Sequence, residues 1–120
     1  MKAYERMLKY IVVRTPSDGE SGTTPSSACQ FELAKMLVEE LKELGVENAA
    51  VDEQCFVYGI IPATPGYEEK TKIGFIAHMD TVSDFCDHEI KPVLTENYNG
   101  EDLVLGDSGR VLSVKDFPHR

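Results

Sequence analysis

Residues 72–77 read Lys-Ile-Gly-Phe-Ile-Ala, a run in which apolar residues follow one another instead of alternating with polar ones. A strand with one wet face alternates. A strand with a continuous apolar run has to be covered on both faces, as happens where helices flank a sheet on both sides. The run therefore predicts a buried strand, and the rest of the chain has to supply its cover.

The segments before it have suitable periodicities. Tyr4, Met7, Leu8, Ile11 and Val12 recur at helical spacing and predict a first helix with one apolar face. It should end at Arg14-Thr15-Pro16, because the residue before a proline is pushed out of the helical region. Residues 15–26 are rich in Thr, Ser, Gly and Pro and predict a loop. Leu33, Leu37, Leu41 and Leu44, widened by Ala34 and Val38, predict a second helix. Ser26 or Ser27 would cap its start, and Gly45 would stop it in a left-handed conformation. Strands are predicted at 49–52 and 55–61, a turn over 62–71, and a hairpin joining 90–95 to 103–105 near Asn99-Gly100. Helices that lead into a series of strands predict an α/β or α+β chain with helices packed on a sheet.

Composition narrows the function classes. Of 120 residues, 42% are hydrophobic, too many for an intrinsically disordered chain and enough for one domain or part of one. Twelve basic residues against 21 acidic ones give a net charge of −9, which repels nucleic-acid phosphates and anionic membrane surfaces. No apolar run approaches the length of a membrane span. Glu5, Arg6 and Lys9 stand where a secretion signal would be apolar, so a cytoplasmic start is expected. Cys29, Cys55 and Cys86 are odd in number, widely spaced and without a Cys-x-x-Cys pair, which predicts reduced, mostly buried thiols.

The chemistry-bearing residues follow the apolar run directly: His78-Met79-Asp80-Thr81. Ligand sites of α/β sheets lie beyond the carboxyl ends of strands. On extended backbone, residues two apart point to one side, so His78 and Asp80 can face one site while Met79 turns into packing. A carboxylate that accepts a hydrogen bond from one ring N–H fixes the histidine's tautomer and leaves the other nitrogen free to bind a metal. On spacing alone, however, His-x-Asp more often marks a hydrogen-bonded surface pair. Gly-Asp-Ser-Gly at 106–109 looks like part of a hydrolase nucleophile motif but lacks the strand-to-helix context, and it reads as a turn. His88, in an Asp-His-Glu run, reads as a solvated loop residue, and His119 has nothing after it from which to build a site.

Ala77-His78-Met79-Asp80-Thr81-Val82, at the end of an apolar strand, resembles the first metal-binding motif of the zinc aminopeptidase, carboxypeptidase and aminoacylase family. Within that family the chain is similar to the tripeptide aminopeptidases. The likeness continues through Arg14-Thr15, Thr24-Pro25-Ser26-Ser27, Leu41-Lys42-Glu43-Leu44-Gly45, the stretch from Glu96 to Leu103, Leu105-Gly106, Leu112-Ser113 and Phe117-Pro118. The resemblance implies that residues 1–120 are the N-terminal portion of a zinc-peptidase catalytic domain. That domain has a mixed β-sheet flanked by helices and would be incomplete here, with the dimerisation or lid domain outside it. The resemblance further implies two zinc ions in a complete site, a small peptide substrate and a homodimeric parent enzyme. His78 would ligate one zinc, and Asp80 would be the catalytic carboxylate that orients His78. The family's bridging aspartate, adjacent glutamates, further carboxylate ligand and late histidine find no counterpart in this sequence. The isolated chain is therefore expected to be inactive. Dipeptidases, carboxypeptidases and N-acyl amino acid deacylases share the motif and remain alternatives. A non-catalytic product or binding module is a third reading.

Overall fold

The computed structural model describes residues 1–86 and 88–118. The chain divides into two units, Met1–Ile90 and Lys91–Arg120. Helices and small antiparallel sheets make it a mixed α/β chain.

In the first unit, α1 (Ala3–Tyr10) and α2 (Gln30–Glu43) precede a hairpin of β1 (Glu47–Val51) and β2 (Val57–Ile60), and a short α3 (Ser83–Cys86) follows. The stripe of α2 works as expected: Leu33, Ala34 and Val38 are buried and pack on the hairpin. Full burial of a leucine or valine side chain stabilises by roughly 2 kcal/mol. Gly45 closes the helix at φ 79°. Its N–H donates to the Lys42 carbonyl at 2.9 Å and the Val46 N–H donates to the Leu41 carbonyl at 3.0 Å. That paired pattern satisfies the helix's last carbonyls and favours a residue without Cβ at the left-handed position.

The start of α2 differs from expectation. Neither Ser26 nor Ser27 caps it; the cap is Cys29, and its side chain makes no capping bond. A tight turn feeds the helix instead, with Gln30 N–H donating to the Ser27 carbonyl and Phe31 N–H to the Ala28 carbonyl. These short-range bonds satisfy the first donors, so no side-chain cap is needed. The Ser26 hydroxyl instead accepts from the Asp18 N–H and from Gln30 Nε2.

The apolar face of α1 is not a core face. Tyr4 and Met7 are exposed, and no residue of the helix is buried. The link to α2 is an ion pair, Arg6 Nη1 to Glu40 Oε1 at 2.6 Å, with both side chains half-buried.

The hairpin pairs Val51 with Val57, Ala50 with Tyr58 and Glu47 with Ile60, with an irregularity between Glu47 and Ala50. The second strand is shorter than 55–61 because residues 52–56 make the loop. Asp52 Oδ1 accepts from the N–H groups of Gln54 and Phe56, and Cys55 takes a left-handed φ of 67°. Gly59 sits where β2 passes α2's exit: a Cβ there would stand 2.5 Å from Val46 Cγ1.

The largest departure concerns residues 72–77. They form no strand, and Ile73, Phe75 and Ile76 are 80%, 95% and 101% exposed. A strand buried on both faces needs a hydrogen-bonding neighbour and a cover. β1 and β2 pair with each other alone, and among the described residues no other strand joins them. The segment therefore carries no regular structure, and its apolar side chains lie in solvent.

In the second unit, β3 (Leu103–Val104) pairs with β4 (Val111–Leu112), not with residues 90–95, which carry no strand. Gly106–Ser108 form a single 3₁₀ turn, and Gly109 follows at φ 68°. The Ser108 hydroxyl donates to the Leu105 carbonyl at 2.6 Å, so Gly-Asp-Ser-Gly is a turn, as read from the sequence. Asn99-Gly100 also turns, with Glu101 N–H donating to Asn99 Oδ1, but it does not join two strands.

Candidate functional site

The stretch through His78 runs into the segment that follows α1. Pro16 and Thr81 form a parallel bridge. Thr81 N–H donates to the Thr15 carbonyl at 2.8 Å, and Ser17 N–H donates to the Thr81 carbonyl at 2.9 Å. The Ser17 hydroxyl donates to the same carbonyl at 3.1 Å. Proline suits the middle of this bridge because the flanking residues supply the paired groups and its missing N–H is not required. Thr15 is buried at the contact.

Immediately before the bridge, the side chains of His78 and Asp80 meet. His78 Nδ1 lies 3.1 Å from Asp80 Oδ1 and 2.9 Å from the Asp80 carbonyl oxygen. Both acceptors call for the tautomer that carries its proton on Nδ1, which leaves the Nε2 lone pair free. The His78 side chain is 84% exposed, so that nitrogen opens to solvent. Met79 is half-buried between them. The Thr81 hydroxyl is buried without a hydrogen-bond partner among the described residues.

This arrangement supplies one imidazole donor with its orienting carboxylate. Three protein ligands are usual for a catalytic zinc. Among the described residues no group of three or more His, Cys, Asp or Glu side chains comes together. His88 is exposed, and His119 lies outside the described residues. The residues present thus fit part of a metal site. A polar pocket of about 470 Å³ opens beside the bridge, lined by Arg14, Ser17, Asp18, Ser27, Cys29 and Ser83 among others.

The cysteines are free, as expected, but only Cys55 is buried; Cys29 and Cys86 are half-buried. Burial, and then the nearby Asp52 carboxylate, push the Cys55 thiol's pKa up. None of the described helices is long and apolar enough to cross a membrane.

Sequence reasoning found the His78–Asp80 pair and missed the Thr15–Ser17 segment that holds its exit. The two partners are 64 residues apart for the Ser17–Thr81 bond. The only local signal was a proline flanked by hydroxyl residues in a stretch otherwise read as loop.

No family model matches the chain. Several of its curated relatives are peptidases by name. They carry the name peptidase T. One, from Alkaliphilus oremlandii, is 47% identical over 116 residues, covering 95% of this chain and 28% of the relative. Another, from Bacillus licheniformis, is 45% identical over 118 residues, covering 98% of this chain and 28% of the relative. A third, from Caldanaerobacter subterraneus, is 45% identical over 118 residues, covering 98% and 29% respectively. The chain is therefore similar to peptidase T along nearly all of its length. It spans a little over a quarter of the length of those relatives, an extent that fits an N-terminal portion.

Proposed function

We propose that these residues are the N-terminal portion of the catalytic domain of a cytoplasmic, zinc-dependent aminopeptidase that removes the N-terminal residue from tripeptides. The observation that carries the reading is the His78–Asp80 pair, with its ring nitrogen held and its opposite nitrogen open, in a chain similar to peptidase T. In this reading His78 Nε2 ligates one zinc. Asp80 holds the ring in one tautomer and raises the basicity of the ligating nitrogen. Zinc, when bound, polarises the scissile carbonyl and lowers the pKa of a water. The exposed imidazole and the half-buried carboxylate provide one ligand and its orientation, and the remaining ligands and the general base come from elsewhere in the intact enzyme. By itself the 120-residue chain should show no peptidase activity.

The test uses the intact protein as its source produces it. His78→Ala should lose bound zinc and most tripeptide hydrolysis. Asp80→Asn should lower metal affinity or activity by roughly 10–100-fold. An aminopeptidase recognises the free amine, so a tripeptide blocked at its N-terminus should not be cleaved. Full zinc content and activity in His78→Ala would remove the assignment.

A further inference from the structure

The buried amide of Gln30 has a place in this arrangement that the family resemblance did not supply. Gln30 opens α2 and is 7% exposed. Its Nε2 donates to the Pro16 carbonyl at 3.2 Å and to the Ser26 hydroxyl at 3.3 Å. Ser26 Oγ also accepts the Asp18 N–H at 3.1 Å. The segment Thr15–Asp18 is thus held from two sides. The Thr15 carbonyl and the Ser17 N–H pair with Thr81, while the Pro16 carbonyl, which a parallel bridge leaves pointing the other way, is taken by Gln30.

That matters because the stretch before Thr81 has little else to hold it. Among the described residues, the backbone-to-backbone hydrogen bonds of residues 62–80 are local turns, Tyr67 N–H to Thr64 and Lys70 N–H to Tyr67. Thr81 adjoins Asp80, and Asp80 holds His78.

We propose that Gln30 is a positioning residue for the His78–Asp80 pair: its amide fixes the Thr15–Ser17 segment, that segment fixes Thr81, and Thr81 sets where the two side chains stand. The inference rests on the reading that this pair is functional. A buried amide that loses its partners is costly, so the side chain and the segment hold each other in place. The effect passes through hydrogen bonds joined by short stretches of backbone and requires no contact between Gln30 and His78.

The experiment reads the metal-free 120-residue chain by NMR, so its outcome does not depend on whether zinc binds. Gln30→Met keeps the side-chain length and removes the donors. Amide exchange at Thr81 and Ser17 should quicken about tenfold. The His78 ring nitrogens should shift from the Nδ1–H tautomer toward a mixture. Tyr58 in the hairpin should keep its protection, which separates a local loss from unfolding. A merely structural role for Gln30 would leave the His78 ring signals alone. Faster exchange at Thr81 with unchanged ring signals would overturn the proposal, as would unchanged exchange at Thr81. If Gln30→Met unfolds the hairpin, Ser26→Ala decides, since it removes one of the two acceptors that hold the Gln30 amide and leaves Gln30 in place. A smaller shift of the same ring signals supports the proposal, and no shift overturns it. Failure of the functional reading shows separately, as retained zinc in His78→Ala of the intact protein.

Discussion

Residues 30–60 and residues 62–80 contain comparable apolar side chains and end in opposite conditions. Leu33 and Val38 are 5% and 6% exposed, whereas Phe75 and Ile76 are almost wholly in solvent. The difference lies in where the cover comes from. The helix α2 meets a hairpin that begins four residues after its end, so the loop that must be closed is short and its entropy cost small. The apolar run at 73–76 needs sheet neighbours, and those in the described residues are already paired with each other. Hydrophobic content states that a segment should be buried; it does not state against what.

The sharpest way to break this comparison is to truncate one side chain in each region. Leu33→Ala should cost about 2–5 kcal/mol in urea unfolding followed by circular dichroism. Phe75→Ala should change stability by less than about 0.5 kcal/mol, because nothing is lost from a core. Equal costs would mean that 73–76 is packed in solution. The exposed run should also make the chain associate as its concentration rises, and Phe75→Lys should reduce that association in sedimentation experiments.

A smaller contrast uses two glycines. Gly59→Ala sets a methyl group against the branched Val46 side chain and should destabilise by about 1–3 kcal/mol. Gly74→Ala meets no atom within 4 Å and should be tolerated. Thermal unfolding of the two variants compares a close approach with open space.

The mildest effect is chemical. Cys55 is buried in the hairpin loop, while Cys29 and Cys86 are half-buried. The thiolate is the reactive form. With its pKa raised by burial and by Asp52, Cys55 should be the last of the three to react with iodoacetamide, and its reaction should begin at higher pH. The same shift has a sign for stability. The folded chain favours the neutral thiol, so this contribution is complete below the ordinary thiol pKa and is lost as pH rises through the raised one. Early alkylation of Cys55 at neutral pH would show that the loop opens.

Much of the local structure was legible without coordinates. The leucine spacing of α2, its glycine stop, the loop over 15–26 and the turn at 106–109 all follow from short-range rules of periodicity and φ preference. The start of α2 was misread because Ser26 has two uses available, and the side chain of Gln30 and the Asp18 N–H claim its hydroxyl. The hairpin expected at 90–95 was misread because β-propensity marks a segment suited to pairing without naming its partner, and β3 pairs with β4 instead.

For the candidate site the division is equally physical. The sequence by itself determined that His78 and Asp80 can share a side, because two-residue spacing on extended backbone is a covalent fact. It also carried the likeness to peptidase T. Only the tertiary structure decided that Nδ1 is the nitrogen held by Asp80, that Thr81 is clamped by Thr15 and Ser17, and that Gln30 stands behind that clamp. Those contacts join residues far apart along the chain, and no local pattern encodes a hydrogen bond whose partner is chosen by how the loops fold back.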